Sequence, residues 1–274
     1  MAGYRIPGPV CGAEQPWSLR DGTLALWRLP APGPICVTSP TFRAGAPLVA
    51  DADIDLSFLF RSCLNPVRGI SDAAWAQAAA ALDVDIAAIK AVADVETPGR
   101  AFDTLGRPLI LFERHYFSRL TSARFDLDHA RVSAKRSGGY TRAAEYGRLE
   151  EAYALDADAA LRSASWGRFQ IMGDNFIAAG FTSAPELVKA MTRSEEAQLM
   201  AFVHFVRSDE AMANALHKHD WAGFARRYNG KGYKKNLYDT KLTDAYARFS
   251  GADKGGTAGK GPAAIAKPLS LRKP

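Results

Sequence analysis

An apolar segment that ends on an acid and then turns at once constrains this chain more than any other stretch. It reads Ile86-Ala87-Ala88-Ile89-Lys90-Ala91-Val92-Ala93-Asp94-Val95-Glu96, followed by Thr97-Pro98-Gly99. Asp85 stands where an N-cap belongs, because its carboxylate can accept from the free N–H groups of a first helical turn. Ile89, Val92 and Ala93 precede Glu96 by seven, four and three residues, so all four share one helical face. Glu96 is therefore expected on the buried side of a helix, at its C-terminal end. Desolvation disfavours the anion there, and the negative end of the helix dipole acts in the same direction. A carboxyl group that keeps its proton near neutral pH can donate it to a leaving oxygen. Pro98 discourages helix at Thr97, and Gly99 permits an unusual backbone angle, so the chain must leave sharply beside the carboxyl and can open a cleft there. The plainer reading is a solvated or ion-paired glutamate at a helix end.

The chain has 274 residues, enough for one sizeable domain and a smaller one. Its net charge of +6 is uneven. Residues 251–274 carry Lys254, Lys260, Lys267, Arg272 and Lys273 against Asp253, while the stretch 71–250 is close to neutral. The basic pI of about 9.2 thus reflects a tail more than a core. Such a tail can attract an anionic polymer, although its Gly, Ala, Pro and Lys content reads first as a solvated, flexible arm. A near-neutral core without a recognition motif argues against a nucleic-acid partner. No apolar run approaches the roughly 20 residues of a membrane span, and no secretory signal is visible. The expectation is a monomer made in the cytoplasm that acts in the periplasm or cell wall only after release or delivery. Cys11, Cys36 and Cys63 are too widely spaced and too far from histidines for a metal site. No metal or cofactor is expected. A Cys11–Cys36 disulfide and free buried thiols both remain open.

Residues 1–70 are rich in Pro and Gly with short β-like runs, which suggests a small β-rich or irregular module. From Ser71 the pattern turns helical. Helices are expected over 72–82, 86–96, 145–162, 167–179, 184–191, 194–207, 220–228 and 239–249. Leu109-Ile110-Leu111-Phe112 is expected as a short strand or a buried helix start. Residues 251–274 form the basic tail. The fold class is therefore mainly α, with a helical domain over 71–250.

Three further blocks carry polar groups in apolar settings. Glu113 and His115 interrupt Leu111–Phe117, either as a structural ion pair or as a second carboxylate with a neighbour. Ser165 and Gln170 flank Trp166-Gly167-Arg168-Phe169, in a tightly packed helix start or a site that presents an amide and an aromatic ring to a polar ligand. Arg227-Tyr228-Asn229-Gly230 ends a helix that Asp220 can cap, and Tyr238 follows shortly. Those residues suit a polar groove or a plain basic turn.

The blocks recur in a recognisable order. Ala91-Val92-Ala93-Asp94-Val95-Glu96, then Gly106-Arg107-Pro108-Leu109-Ile110-Leu111-Phe112-Glu113-Arg114-His115, then Ala164-Ser165-Trp166-Gly167-Arg168-Phe169-Gln170-Ile171-Met172, and then Arg227-Tyr228-Asn229-Gly230 with Tyr238-Asp239-Thr240-Lys241-Leu242 resemble the N-acetylmuramidase family of phage endolysins and bacterial relatives. The resemblance spans about residues 73–249. It implies a lysozyme-like helical domain that cleaves the β-1,4 bond between N-acetylmuramic acid and N-acetylglucosamine in peptidoglycan. It implies Glu96 as the catalytic acid, with Glu113 as a candidate second carboxylate. His115, Ser165, Gln170, Tyr228, Asn229 and Tyr238 would contact the sugar. Where the family reads Glu-Ser-Gly-Gly, this chain has Glu96-Thr97-Pro98-Gly99, and residues 1–70 do not resemble the helical wall-binding module of such endolysins.

Inverting glycosidases hold a water between two carboxyl groups roughly 6.5–9.5 Å apart, a gap that sequence does not measure. Hydrolysis with Glu113 guiding the water, lytic transglycosylation that needs no second carboxylate, and wall binding without turnover are the three readings. The biological settings are an endolysin released by a holin, or an antibacterial toxin delivered by a secretion apparatus. The partners expected are peptidoglycan glycan strands and, for a delivered toxin, an immunity protein or a component of the secretion apparatus.

Overall fold

Side-chain caps set the helical frame. In the computed structural model, residues 55–140 and 145–251 are described. Short α1 (Phe58–Arg61) leads into α2 (Asp72–Leu82), whose first turn is held by Ser71 Oγ accepting the Ala74 N–H at 3.2 Å. The next helix, α3 (Ile86–Glu96), begins on Asp85, whose Oδ1 accepts the Ala88 N–H at 2.7 Å. Each such cap contributes about 1 kcal/mol. Ile89, Val92 and Ala93 are buried as the spacing requires, and a fully buried Ile or Val stabilises by about 1.5–3 kcal/mol.

The chain continues through β1 (Ile110–Phe112), α4 (Arg114–Leu120), α5 (Glu145–Leu155), α6 (Ala157–Arg162), β2 (Ala164–Trp166) and β3 (Ile171–Met172). It closes with α7 (Ala184–Met191), α8 (Glu195–Arg207), α9 (Glu210–His217), α10 (Trp221–Tyr228) and α11 (Tyr238–Ser250). The strands form one antiparallel sheet in the order β1-β2-β3, with Leu111 opposite Ser165 and Ser165 opposite Met172. Helix α3 packs against α11 and α2, α10 packs against α9 and α11, and α5 packs against β1. Tyr246 Oη donates to Asp85 Oδ2 at 2.9 Å, and Arg248 Nη2 lies 2.7 Å from Asp94 Oδ2, which fastens α11 onto α3. Among the described residues, no helix is long and apolar enough to cross a membrane.

Several expectations are corrected. The helix expected over 167–179 is instead a hairpin turn, β3 and a short 3-10 turn at Gly173–Asn175. Gly167 at φ +71° and Gln170 at φ +47° both take left-handed conformations, which a helix cannot hold in sequence. The helix expected over 145–162 breaks at Asp156, whose side chain caps α6 by accepting the Ala159 N–H. Helices α4 and α9 were not expected. Of the segment Leu109–Phe112, Ile110–Phe112 is strand. Contacts with the helical domain are already made by residues from 55 onward. Leu56 and Leu59 are fully buried, Leu64 N–H donates to Leu105 O, and Gly69 N–H donates to Glu195 Oε1. Residues 55–70 therefore belong to this unit. Cys63 is disulfide-bonded, so it is not a free thiol. The β-like runs of residues 1–54, the Cys11–Cys36 pairing and the basic tail lie outside the described residues.

Candidate active site

Glu96 is the last residue of α3 and stands half-buried. Helix hydrogen bonding stops at Thr97, whose N–H donates to Ala93 O and whose backbone (φ −142°, ψ 86°) has left the helical region. Pro98 and Gly99, the latter at φ +71°, then turn the chain away. The Thr97 hydroxyl donates to Arg168 O at 2.8 Å, so the residue beside the acid is fastened to the β2–β3 turn. That turn is clamped from α8. Gln198 Oε1 accepts the Arg168 N–H at 2.6 Å, and Gln198 Nε2 donates to Met191 O at 2.8 Å. A Cβ on Gly167 would come within 2.6 Å of the Gln198 amide, so this position needs glycine for space as well as for its backbone angle.

Asn229 approaches Glu96 from the other side. Its Nδ2 donates to Glu96 Oε1 at 2.7 Å, and its own position as C-cap of α10 is fixed by its N–H donating to Ala225 O. Tyr228, one residue earlier, is packed among Phe202, Phe205 and Phe224. Its hydroxyl donates to Phe169 O. The end of α10 is thereby bolted to the same hairpin that holds Thr97. Burial pushes the Glu96 carboxyl up to about 7, opposed by the Asn229 hydrogen bond and by the positive charge of Lys241. The Tyr238 phenol, at the start of α11, is pushed up by its burial and by the negative charges of Glu96 and Glu113. Tyr238 is thus the residue that both carboxylates act on.

Glu113 is placed differently from the expected second carboxylate. It follows β1 as the residue immediately before α4, and is 1% exposed. Tyr140 Oη donates to its Oε2 at 2.6 Å. His115 Nδ1 lies 3.1 Å from the same oxygen, a close pair that lacks hydrogen-bond alignment. Oε1 is buried with no hydrogen-bond partner among the described residues. A carboxylate enclosed in this way does not present an oxygen to bulk water. Ser165 and Gln170 are also buried, and their polar groups are committed to the hairpin. Ser165 Oγ donates to Gln170 Oε1 at 2.9 Å, while Gln170 Nε2 donates to Gly167 O at 2.8 Å and Leu109 O at 3.1 Å. Asn229 and Tyr238 are thus brought to Glu96, and Tyr228 lies just behind them. Ser165 and Gln170 brace the hairpin, and His115 attends Glu113. No group of three or more His, Cys, Asp or Glu side chains among the described residues is arranged to hold a metal ion.

Residues 85–250 match the family model described as Muramidase, N-acetylmuramidase. The chain belongs to the N-acetylmuramidase family. A solved structure, the Burkholderia AP3 phage endolysin, is similar at 45% identity and a TM-score of 0.62, covering 68% of this chain and 72% of that one. No curated protein matches. This muramidase is a glycoside hydrolase of the lysozyme type, and peptidoglycan is the substrate class that the family implies.

Some positioning residues of the muramidase were missed in the sequence. Gln198 sits among the apolar positions of α8, and a buried amide beside such a stripe was the available signal. Glu145 and Arg148 form a buried pair one turn apart. Glu145 Oε2 accepts the Phe112 N–H at 2.8 Å, and Arg148 Nη1 donates to Phe112 O at 3.1 Å. Together they satisfy the open backbone of β1 just before Glu113, and only their i,i+3 spacing hinted at them. Lys241, three residues beyond Tyr238 and so on the same helical face, was passed over entirely.

Proposed function

We propose that the enzyme cleaves the β-1,4 bond between N-acetylmuramic acid and N-acetylglucosamine, with Glu96 as the general acid. The observation that carries this reading is a half-buried carboxyl at a helix end whose proton affinity is raised to about 7 and whose side-chain hydrogen-bond partner among the described residues is the neutral Asn229 amide. Because Asn229 donates to Oε1, that oxygen serves as the acceptor and the acidic proton resides on Oε2. From Oε2 it passes to the glycosidic oxygen as the bond to the muramic acid carbon lengthens. Positive charge then develops on the sugar ring in an oxocarbenium-like state, and water attacks. Glu113 and Tyr238 shape the field around that carbon, rather than Glu113 handling the water directly. Tyr238 remains a neutral phenol throughout, since ionisation next to two carboxylates is disfavoured.

Replacing Glu96→Gln and following the turbidity of purified sacculi tests the acid. Loss of an acid catalyst lowers the rate by about 10²–10⁴, and clearance within about threefold of wild type would remove the assignment. Binding without turnover does not clear a suspension, so the same assay separates an enzyme from a wall-binding protein. A second reading is favoured by the enclosure of Glu113: the muramic acid's own hydroxyl closes on the anomeric carbon, as in a lytic transglycosylase. Reducing muramic acid ends mean hydrolysis, and 1,6-anhydro ends mean transglycosylation. The likeness to a phage endolysin supports host-cell lysis as the biological setting over a delivered antibacterial toxin. Neighbouring genes for a holin, rather than for secretion components and an inhibitor, would bear that out.

A further inference from the structure

Lys241 stands on the first turns of α11, three residues after Tyr238, with its ammonium 5.5 Å from the centre of the Tyr238 ring. Its side chain is half-buried. It forms no ion pair among the described residues, whereas several arginines of the unit are paired with acids, as Arg248 is with Asp94, Arg168 with Glu195 and Arg162 with Asp174. Asn229 and Tyr228 from α10, Tyr238 from α11 and the Thr97 hydroxyl are the uncharged groups near Glu96, and the negative charge of Glu113 also reaches Tyr238. On α3 itself, Asp94 is occupied by Arg248, and Lys90 lies over the Trp75 ring of α2 at 5.5 Å. Lys241 is thus a cation whose charge reaches the acid and which has no ion-pair partner among the described residues.

We infer that Lys241 is a specificity residue whose ammonium receives a carboxylate carried by the muramic acid side of the substrate. The inference rests on the proposed muramidase reading and deepens it. A muramic acid residue offers such a group in one of two forms, the lactyl carboxylate where no peptide is attached, or the carboxylates of the stem where the lactyl carboxyl is tied up in the amide to it, and both present the same chemistry to an ammonium. The arrangement has a mechanistic consequence. In the free enzyme the positive charge of Lys241 works against proton retention on Glu96. A bound carboxylate neutralises that charge, so the acid holds its proton more firmly once the correct strand is in place. A glycan without carboxylates leaves Lys241 unopposed and the acid weaker. The Tyr238 ring under the ammonium fixes its position without consuming its charge.

The test compares three substrates on the full-length enzyme: untreated sacculi, sacculi with their carboxyl groups converted to methylamides, and peptide-free glycan strands that carry only the lactyl carboxylate. Wild type is expected to show kcat/KM about tenfold higher on untreated than on blocked sacculi, the usual scale of one charge-assisted contact. In Lys241→Met that preference falls to within about twofold, and Lys241→Arg restores it. The alkaline limb of the kcat profile lies higher on untreated than on blocked sacculi for wild type, and the two limbs coincide in Lys241→Met. Activity on the peptide-free strands that is sensitive to Lys241→Met shows that the ammonium also receives the free lactyl carboxylate, and insensitivity there restricts the contact to the stem. Indifference of wild type to carboxyl blocking, or an undiminished preference in a Lys241→Met protein with a native circular dichroism melt, overturns the inference. Failure of the parent reading shows separately, as turnover retained by Glu96→Gln.

Discussion

Glu96 closes α3 with one oxygen held by a neutral amide and part of its side chain open to solvent. Glu113 opens α4 with one oxygen shared by a tyrosine and a histidine, the other without a partner, and 1% of its surface exposed. Both are glutamates at helix ends within the same domain. The contrast lies in reachability. A carboxyl must be desolvated enough to keep a proton and open enough to hand it over, and only the α3 terminus meets both conditions. The β1–α4 junction buries its carboxyl without opening it to the solvent, so Glu113 has no route by which to hand over a proton.

The largest effect that would break this comparison is on rate. Glu96→Gln is expected to lower kcat by about 10²–10⁴, and Glu113→Gln by less than about tenfold; equal losses would put the two carboxyls in the same role. The stability of the pair sharpens it further. The folded-state affinity of Glu96 is raised from 4.5 to about 7, so the stability this group contributes is fully present below pH about 4.5 and is lost as pH rises through about 7. Glu96→Gln should therefore gain stability over wild type across that window, by up to about 3 kcal/mol, measured as the pH dependence of the difference in denaturation midpoint. Asn229→Ala comes next. Removing a hydrogen bond that favours the anion moves the alkaline limb of kcat/KM upward, and loss of orientation lowers kcat by about tenfold. Glu113→Gln should chiefly lower the denaturation midpoint, by the roughly 1–3 kcal/mol of a disturbed buried polar group. Ser165→Ala is expected to be smallest, near 1 kcal/mol in stability with turnover little changed, because its hydroxyl serves the hairpin.

The frame of the fold was legible wherever a cap preceded a periodic apolar run. Ser71, Asp85 and Asp220 each cap the helix they were expected to begin, and the facing of Ile89, Val92 and Ala93 put Glu96 at a buried helix end. The hairpin was not legible. Ser165–Met172 contains Gly167 between aromatic residues and reads as a helix start, and only the non-local pairing with β1 and the clamp from Gln198 make it a strand and turn. Proximity in space was hidden for the same reason. Nothing in the spacing of Asn229 or Lys241 announces that α11 and the end of α10 fold back on α3. The burial of Glu113 was equally invisible, since it depends on Tyr140 arriving from a distant turn and on Glu145 and Arg148 securing the strand before it.

Asn229 and Tyr238 are the two ends of a single short connection, Gly230–Leu237, and each end addresses the acid. The length of that connection therefore works as a ruler. Its outer surface, which carries Lys231, Lys234 and Lys235, can change its side chains freely. Adding or removing one residue within it shifts Asn229 and Tyr238 relative to each other, and with them the grip on Glu96.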